Sequence, residues 1–155
     1  MRIHIIAVGQ RMPDWVNKAY NEYHKRLPSA YQPNLKQVAA EKRGKSCNSE
    51  TILQREGKRI LQALPSQCHK VVLDRNGKSR TTLELSRALN DWANLSVDVA
   101  FLIGGPEGLS KQCLEQADEQ WSLSAMTFPH ALVRVMLIEQ LYRAWTILNN
   151  MPYHR

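Results

Sequence analysis

The stretch Val97-Asp98-Val99-Ala100-Phe101-Leu102-Ile103-Gly104-Gly105-Pro106-Glu107-Gly108-Leu109-Ser110 decides how this chain folds. Its apolar first half has the length and β-branched content of a buried strand, and it stops at two glycines. A proline, an acid and a third glycine follow, and Ser110 is placed to cap a new helix. Glycines leave main-chain N–H groups uncovered, so a ligand can approach the backbone at the carboxyl end of the strand. In open α/β sheets that edge is where small molecules bind. Glycine-rich strand-to-helix turns are common, so the neighbouring segments carry the weight.

Outward from this turn the chain alternates strand and helix. Strands are expected at 2–8, 35–39, 70–74, 98–103 and near 120–124, and helices at 13–26, 49–64, 82–94, 110–118 and 131–149. Pro13 suits a first helical turn, Asn48 can cap the second helix, and Thr81 with Glu84 makes a capping box for the third. In the last helix Leu137, Leu141, Trp145 and Leu148 recur on one face, and Glu139, Gln140, Arg143 and Thr146 on the other. The alternation predicts an α/β fold, a mostly parallel sheet flanked by helices. With no repeat, low-complexity tract or linker, residues 1–155 read as a single domain.

A chain of 155 residues, 43% of them hydrophobic, can bury a sizeable core. Cys47, Cys68 and Cys113 are odd in number and lack metal-ligand spacing, so neither a disulfide framework nor a metal site is expected. Reduced thiols, and an opening run broken by Arg2 and His4, point to a cytoplasmic protein without a signal peptide. The longest apolar stretch, 131–148, contains Arg134, Glu139 and Arg143 and reads as a core helix, so no membrane partner is expected.

Charge is distributed unevenly. Residues 1–80 hold 16 Lys and Arg against 6 Asp and Glu, an excess of ten cations; residues 81–155 hold 5 against 8. A one-sided basic field attracts polyanions, and nucleic acid is the expected partner. Two segments fit that expectation. Glu41-Lys42-Arg43-Gly44-Lys45-Ser46 lacks the P-loop pattern and reads as a mobile loop contacting phosphates through Lys42, Arg43 and Lys45, or else as solvated surface. Asp74-Arg75-Asn76-Gly77-Lys78 follows the strand Val71-Val72-Leu73 and marks a turn at the same sheet edge as Gly104.

The carboxy-terminal third adds Trp121-Ser122-Leu123-Ser124-Ala125-Met126-Thr127-Phe128-Pro129-His130, Leu132-Val133-Arg134, Glu139-Gln140-Leu141-Tyr142-Arg143-Ala144 and the ending Pro152-Tyr153-His154-Arg155. With Ile103–Gly108, this ordered series resembles the SPOUT-type methyltransferases, and among them the large-subunit ribosomal RNA pseudouridine N3-methyltransferases. The resemblance extends to Ala7-Val8-Gly9 and to Lys42-Arg43-Gly44-Lys45, essentially the whole chain. It implies an α/β fold with a carboxy-terminal trefoil knot, a homodimer, and S-adenosylmethionine as cofactor. Carried over residue by residue, the cofactor contacts are Leu73, Gly104, Gly105, Leu123, Ser124, Ala125, Met126, Thr127 and Phe128. The implied substrate is ribosomal RNA, met on the assembled ribosome.

Methylation of an imide nitrogen needs in-line positioning and loss of a proton. Arg143, Tyr153, His154 and Arg155 are the candidate catalytic residues: tyrosine can stack on a base, His154 can take a proton, and either arginine can hold an anionic oxygen. Arg143 can equally form a helix-surface pair with Glu139. His130 reads as structural, and Glu107 as a positioning residue or a helix-terminus charge. After Pro152 the last three residues are expected to leave the helix as an extended, flexible arm. A non-catalytic basic RNA-binding protein with a degenerate knot is the competing reading, and a small-molecule α/β enzyme leaves the basic half unexplained.

Overall fold

A computed structural model describes residues 1–155. In chain order the elements are β1 (Ile3–Val8), α1 (Asp14–His24), β2 (Asn34–Val38), α2 (Ser49–Ala63), β3 (His69–Ser79), α3 (Thr82–Asn94), β4 (Val99–Ile103), α4 (Lys111–Glu115), β5 (Glu119–Ser122) and α5 (His130–Leu148). The strands form one sheet in the order β2-β1-β4-β3-β5, and every pairing is parallel. Parallel strands joined by helices must be covered on both faces. Alternation along the strands divides the core accordingly. Ile3, Ile5, Val71, Val99, Phe101 and Ile103 pack toward α1, α3 and α5, whereas Ile6, Val8, Val72, Ala100 and Leu102 meet α2 and α4. Trp92 of α3 stacks on Trp121 of β5 at 5.9 Å, and Phe101 meets Trp121 edge-on at 6.0 Å.

The helix caps follow the sequence closely. Asn48 accepts from the Glu50 N–H, Ser110 from the Cys113 N–H, and Thr81 with Glu84 closes the capping box. Pro13 lies one residue before α1 rather than within it, and α4 stops at Glu115. The Asn76-Gly77 turn does not end its strand. Leu73 and Lys78 both pair with Trp121, so residues 74–77 form an excursion within β3, closed by the Asn76 N–H on the Asp74 carboxylate at 2.8 Å. Gly77 fits there because a Cβ would come within 2.7 Å of the Trp121 backbone nitrogen. The short edge strand β5 is fastened by Glu119, which accepts from His69, Arg80 and the Trp121 indole at 2.9, 2.8 and 2.7 Å.

Helix α5 departs from the expected two-faced pattern. Thr146 is fully buried and bonds the Arg143 carbonyl, Gln140 accepts from Thr82 of α3, and Ser86 of α3 bonds the Ala144 carbonyl. Contacts with α1 and α3 bury Thr146 on this second face, while Glu139, Gln140 and Arg143 stay half-buried. At its start Arg134 is 1% exposed, and its Nη2 donates to the carbonyls of Val8 and Gly9 at 2.7 Å each while Nη1 donates to Gln37. This pins α5 to the carboxyl ends of β1 and β2. Strand β5 lies three places away, roughly 14 Å at the usual inter-strand spacing. Residues 123–129 therefore run across the carboxyl ends of β3 and β4.

Arg134 meets no carboxylate; burial pulls its pKa down, and neutral acceptors hold it. Arg134→Met keeps an apolar stem but strips a buried donor from two carbonyls, at about 1–3 kcal/mol for each group left unsatisfied. We expect a loss of roughly 2–4 kcal/mol in urea unfolding. A change below about 0.5 kcal/mol, the range of an inert surface substitution, contradicts the pin.

Candidate functional site

Because all five strands are parallel, the loops that follow them share one edge of the sheet. Ile103 is in register with both Ala7 and Leu73, and Leu73 with Trp121, so Leu73, just before the β3 excursion, stands beside Gly104 and Ser122 at the ends of β4 and β5. The glycine turn after β4 is tight: the Gly108 N–H donates to the Gly105 carbonyl at 2.9 Å, and Gly108 takes φ +89°. A Cβ on Gly105 would lie 3.1 Å from Glu56 Oε2, 3.1 Å from Val8 and 3.3 Å from the Arg43 guanidinium. The room beside Gly105 is thus taken by the protein's own ion pair, which modifies the expectation that its missing side chain only clears space for a ligand.

Glu56 is the residue that motif reading passed over. It sits on α2 between Ile52 and Ile60, four residues from each, and is 1% exposed. Its signal was legible as an acid on an apolar stripe. Oε1 accepts from Arg43 at 3.1 Å, and Oε2 is buried without a partner, facing Gly105. Burial pushes the Glu56 carboxyl up, against the lowering pull of Arg43. Arg43 also reaches Glu107 at 3.8 Å. It therefore faces the glycine turn rather than standing free in a mobile loop. Glu41 anchors the same segment on Arg55 and Arg59 at 2.9 and 2.6 Å. Lys42 and Lys45 are exposed and form no ion pair. His130, at the start of α5, is held below its usual pKa by burial and by the nearby Arg134 and Arg43 charges.

Leu73 and Leu123 line one small cavity with Leu85, Trp121 and Leu137. Arg80, Thr82, Leu123 and Gln140 also border a larger cleft of about 630 Å³, which Tyr23, Met136 and Glu139 line as well. Ser122 Oγ bonds the Ser124 carbonyl and Ser124 Oγ accepts from the Met126 N–H, shaping the turn. Ala125, Met126 and Thr127 are exposed, Met126 to 73%, whereas Phe128 is half-buried. Gly104 and Gly105 do not line either cavity; they share the edge from the α2 side.

The tail differs from an extended arm. Pro152–His154 form a 3-10 turn that folds back on α5. Tyr153 meets Tyr142 edge-on at 4.7 Å, lies 4.8 Å from the Arg143 guanidinium, and donates to Glu139 Oε1 at 3.0 Å. The same Glu139 oxygen accepts from Arg143 Nη2 at 2.6 Å, so the helix-surface pair is real and holds two candidate catalytic side chains together. Burial, the neighbouring Tyr23 and the Glu139 carboxylate raise the Tyr153 phenol above its usual pKa. His154 and Arg155 are exposed. No group of three or more His, Cys, Asp or Glu side chains is arranged to hold a metal, and no helix is long and apolar enough to cross a membrane.

Two titrations test these assignments. A carboxyl raised in the fold contributes stability below its ordinary pKa and loses it as pH climbs through the raised value. Glu56→Gln should therefore gain on the wild type across that window in urea unfolding and run parallel above it; parallel curves throughout refute the buried carboxyl. Glu139→Gln removes the anion facing Tyr153, so one tyrosine should titrate at lower pH by ultraviolet absorbance, a shift absent when Tyr153→Phe is combined with it.

Comparison with known proteins agrees with this architecture. A family model described as "Predicted SPOUT methyltransferase" matches residues 1–154. A protein of Thioalkalivibrio sulfidiphilus named ribosomal RNA large subunit methyltransferase H is 56% identical over 155 residues, covering 100% of this chain and 99% of that one. Proteins of the same name from Saccharophagus degradans and Methylococcus capsulatus are 52% and 50% identical, each covered over 100% of both chains. Among solved structures, a methylase family protein from Neisseria gonorrhoeae superimposes with TM-score 0.54 at 15% identity, over 91% of this chain and 81% of that one. That likeness concerns the fold; the full-length sequence matches place the chain in the SPOUT methyltransferase family.

Proposed function

We propose that this protein is an S-adenosylmethionine-dependent methyltransferase that methylates N3 of a pseudouridine in large-subunit ribosomal RNA, acting in the cytoplasm on the assembled ribosome. The names of its full-length relatives and the excess of cations in residues 1–80 support the substrate class. One observation carries the assignment of the site: Leu123, at the head of the proposed cofactor segment, lines the same cleft as Glu139, the residue holding Arg143 and Tyr153.

The residue types suit the cofactor, although the cavity between Leu73 and Leu123 holds only about 30 Å³ and must widen to admit it. Its apolar side is Leu73, Leu85, Trp121, Leu123 and Leu137 and its polar side Arg80, Thr81, Thr82, Ser122 and Gln140, the mixture that an adenine slot needs. Leu73, Gly104, Gly105 and the segment Leu123, Ser124, Ala125, Met126, Thr127 and Phe128 would hold it. When bound, it supplies a methyl group already activated on a sulfonium. The run of residues 123–129 across the ends of β3 and β4 is the path that a trefoil knot in the carboxy-terminal segment would take. Half-buried Val135 and Met136 on the cleft wall of α5 are suited to cover by a second copy, in keeping with a homodimer.

Within this reading Tyr153 and Arg143 orient the acceptor base, because Glu139 fixes both side chains before substrate arrives. Arg155 contacts an anionic oxygen of the RNA. The exposed His154 imidazole would accept the N3 proton as that nitrogen takes the methyl group that the sulfonium would supply. Tyr153 also packs against α5, so His154→Ala is a cleaner test than deleting the tail. Single-turnover methylation of ribosomal particles, read by mass spectrometry of the RNA, should fall about 10²–10⁴-fold with cofactor affinity and melting temperature unchanged. Wild-type rates in that variant exclude the proton-accepting role. Absence of RNA methylation by the wild type excludes the function.

A further inference from the structure

At the carboxyl edge of the sheet Arg43 after β2 and Arg80 after β3 are paired with acids, but five other cations are left free. At the amino edge, Arg2 pairs with Asp98 at 2.7 Å, Lys25 and Arg26 pair with Glu22, and Lys70 pairs with Asp118 at 3.1 Å. At the carboxyl edge, Arg11 follows β1, Lys42 and Lys45 follow β2, and Arg75 and Lys78 lie in and just after the excursion of β3. All five are exposed, and none forms an ion pair or a side-chain hydrogen bond to the protein. Trp15, in the first turn of α1 just beyond Arg11, is 55% exposed, whereas Trp92 and Trp121 are buried.

The strand order gives this pattern a direction. Strand β4, which ends in Gly104-Gly105, lies between β1 and β3. Arg11, Trp15, Lys42 and Lys45 therefore lie to one side of the glycine turn, and Arg75 and Lys78 to the other. An unpaired cation keeps its whole charge for a phosphate, and contact with phosphate releases condensed counterions. An exposed indole offers a stacking face to an unpaired base. From this placement we infer that the RNA of the proposed reaction docks along the carboxyl edge on both flanks of the glycine turn, with Arg11 and Trp15 gripping one side and Arg75 and Lys78 the other. Both flanks are needed because a strand held at only one end pivots about that contact, and the acceptor nitrogen must be held in line with the methyl donor.

This inference rests on the RNA-methyltransferase reading, and the experiment separates the two. Large-subunit ribosomal particles are methylated by the wild type, by Arg11→Ala/Trp15→Leu, by Arg75→Ala/Lys78→Ala, and by Lys25→Ala/Arg26→Ala at the opposite edge, over a range of salt concentrations. In each of the two flank variants, KM for the particle should rise at least tenfold. The slope of log affinity against log salt should flatten by roughly 0.7–0.9 for each phosphate that the variant no longer neutralises. The opposite-edge variant should match the wild type, and calorimetric cofactor affinity and melting temperature should be unchanged in all. Quenching of tryptophan emission by RNA should disappear in the variant lacking Trp15. A wild type that transfers no methyl group to the particles overturns the functional reading itself. A methylating wild type whose KM and slope are unaffected by either flank variant, or by one of them, overturns the two-flank docking. So does an equal loss in the opposite-edge variant.

Discussion

The arrangement of the site depends on the buried Arg134 guanidinium at the carboxyl ends of β1 and β2. Parallel strand ends expose carbonyls that the sheet does not satisfy, and a buried unsatisfied carbonyl is costly. Arg134 meets two of them with one nitrogen and thereby fixes where α5 begins. Strand β5 is held at the far edge by Glu119, so both ends of the segment 123–129 are fixed and its course over β3 and β4 follows. A side chain 126 residues beyond Val8 in sequence thus sets the geometry of the strand-end loops.

A second buried charge works on the other face. Glu56 and Arg43 occupy the space beside Gly105 and connect α2, the basic loop and the glycine turn through one ion pair. An exposed pair is worth little, but here the carboxylate is buried, so losing either partner strands a charge. Lys42 and Lys45 remain free around it, and the loop is both anchored and available. Glu139 acts similarly at the cleft, where one carboxylate oxygen gathers Arg143 and Tyr153 from positions ten residues apart in sequence.

The amino-acid order determined the alternation of strands and helices, their caps, and the convergence of Leu73 and Gly104 at one edge, because periodicity and capping are local. The family blocks singled out residues 123–128 and the tail. Other features needed the fold. The Asn76-Gly77 signal could not reveal that the chain rejoins β5 after four residues, since strand pairing is a long-range choice. Nor could Pro152 show that Tyr153 turns back onto Tyr142 and Glu139 rather than leaving in extended form. A surface face for Thr146 followed from helical period alone, and packing by α1 and α3 removed it. The basic excess was countable from the chain, but which cations are free is a matter of distance to carboxylates. Only the tertiary structure brings Asp98 to Arg2, Asp118 to Lys70 and Glu56 to Arg43 while leaving Arg11, Arg75 and Lys78 without partners, because ion pairing depends on separations of a few ångströms between residues that the sequence sets far apart.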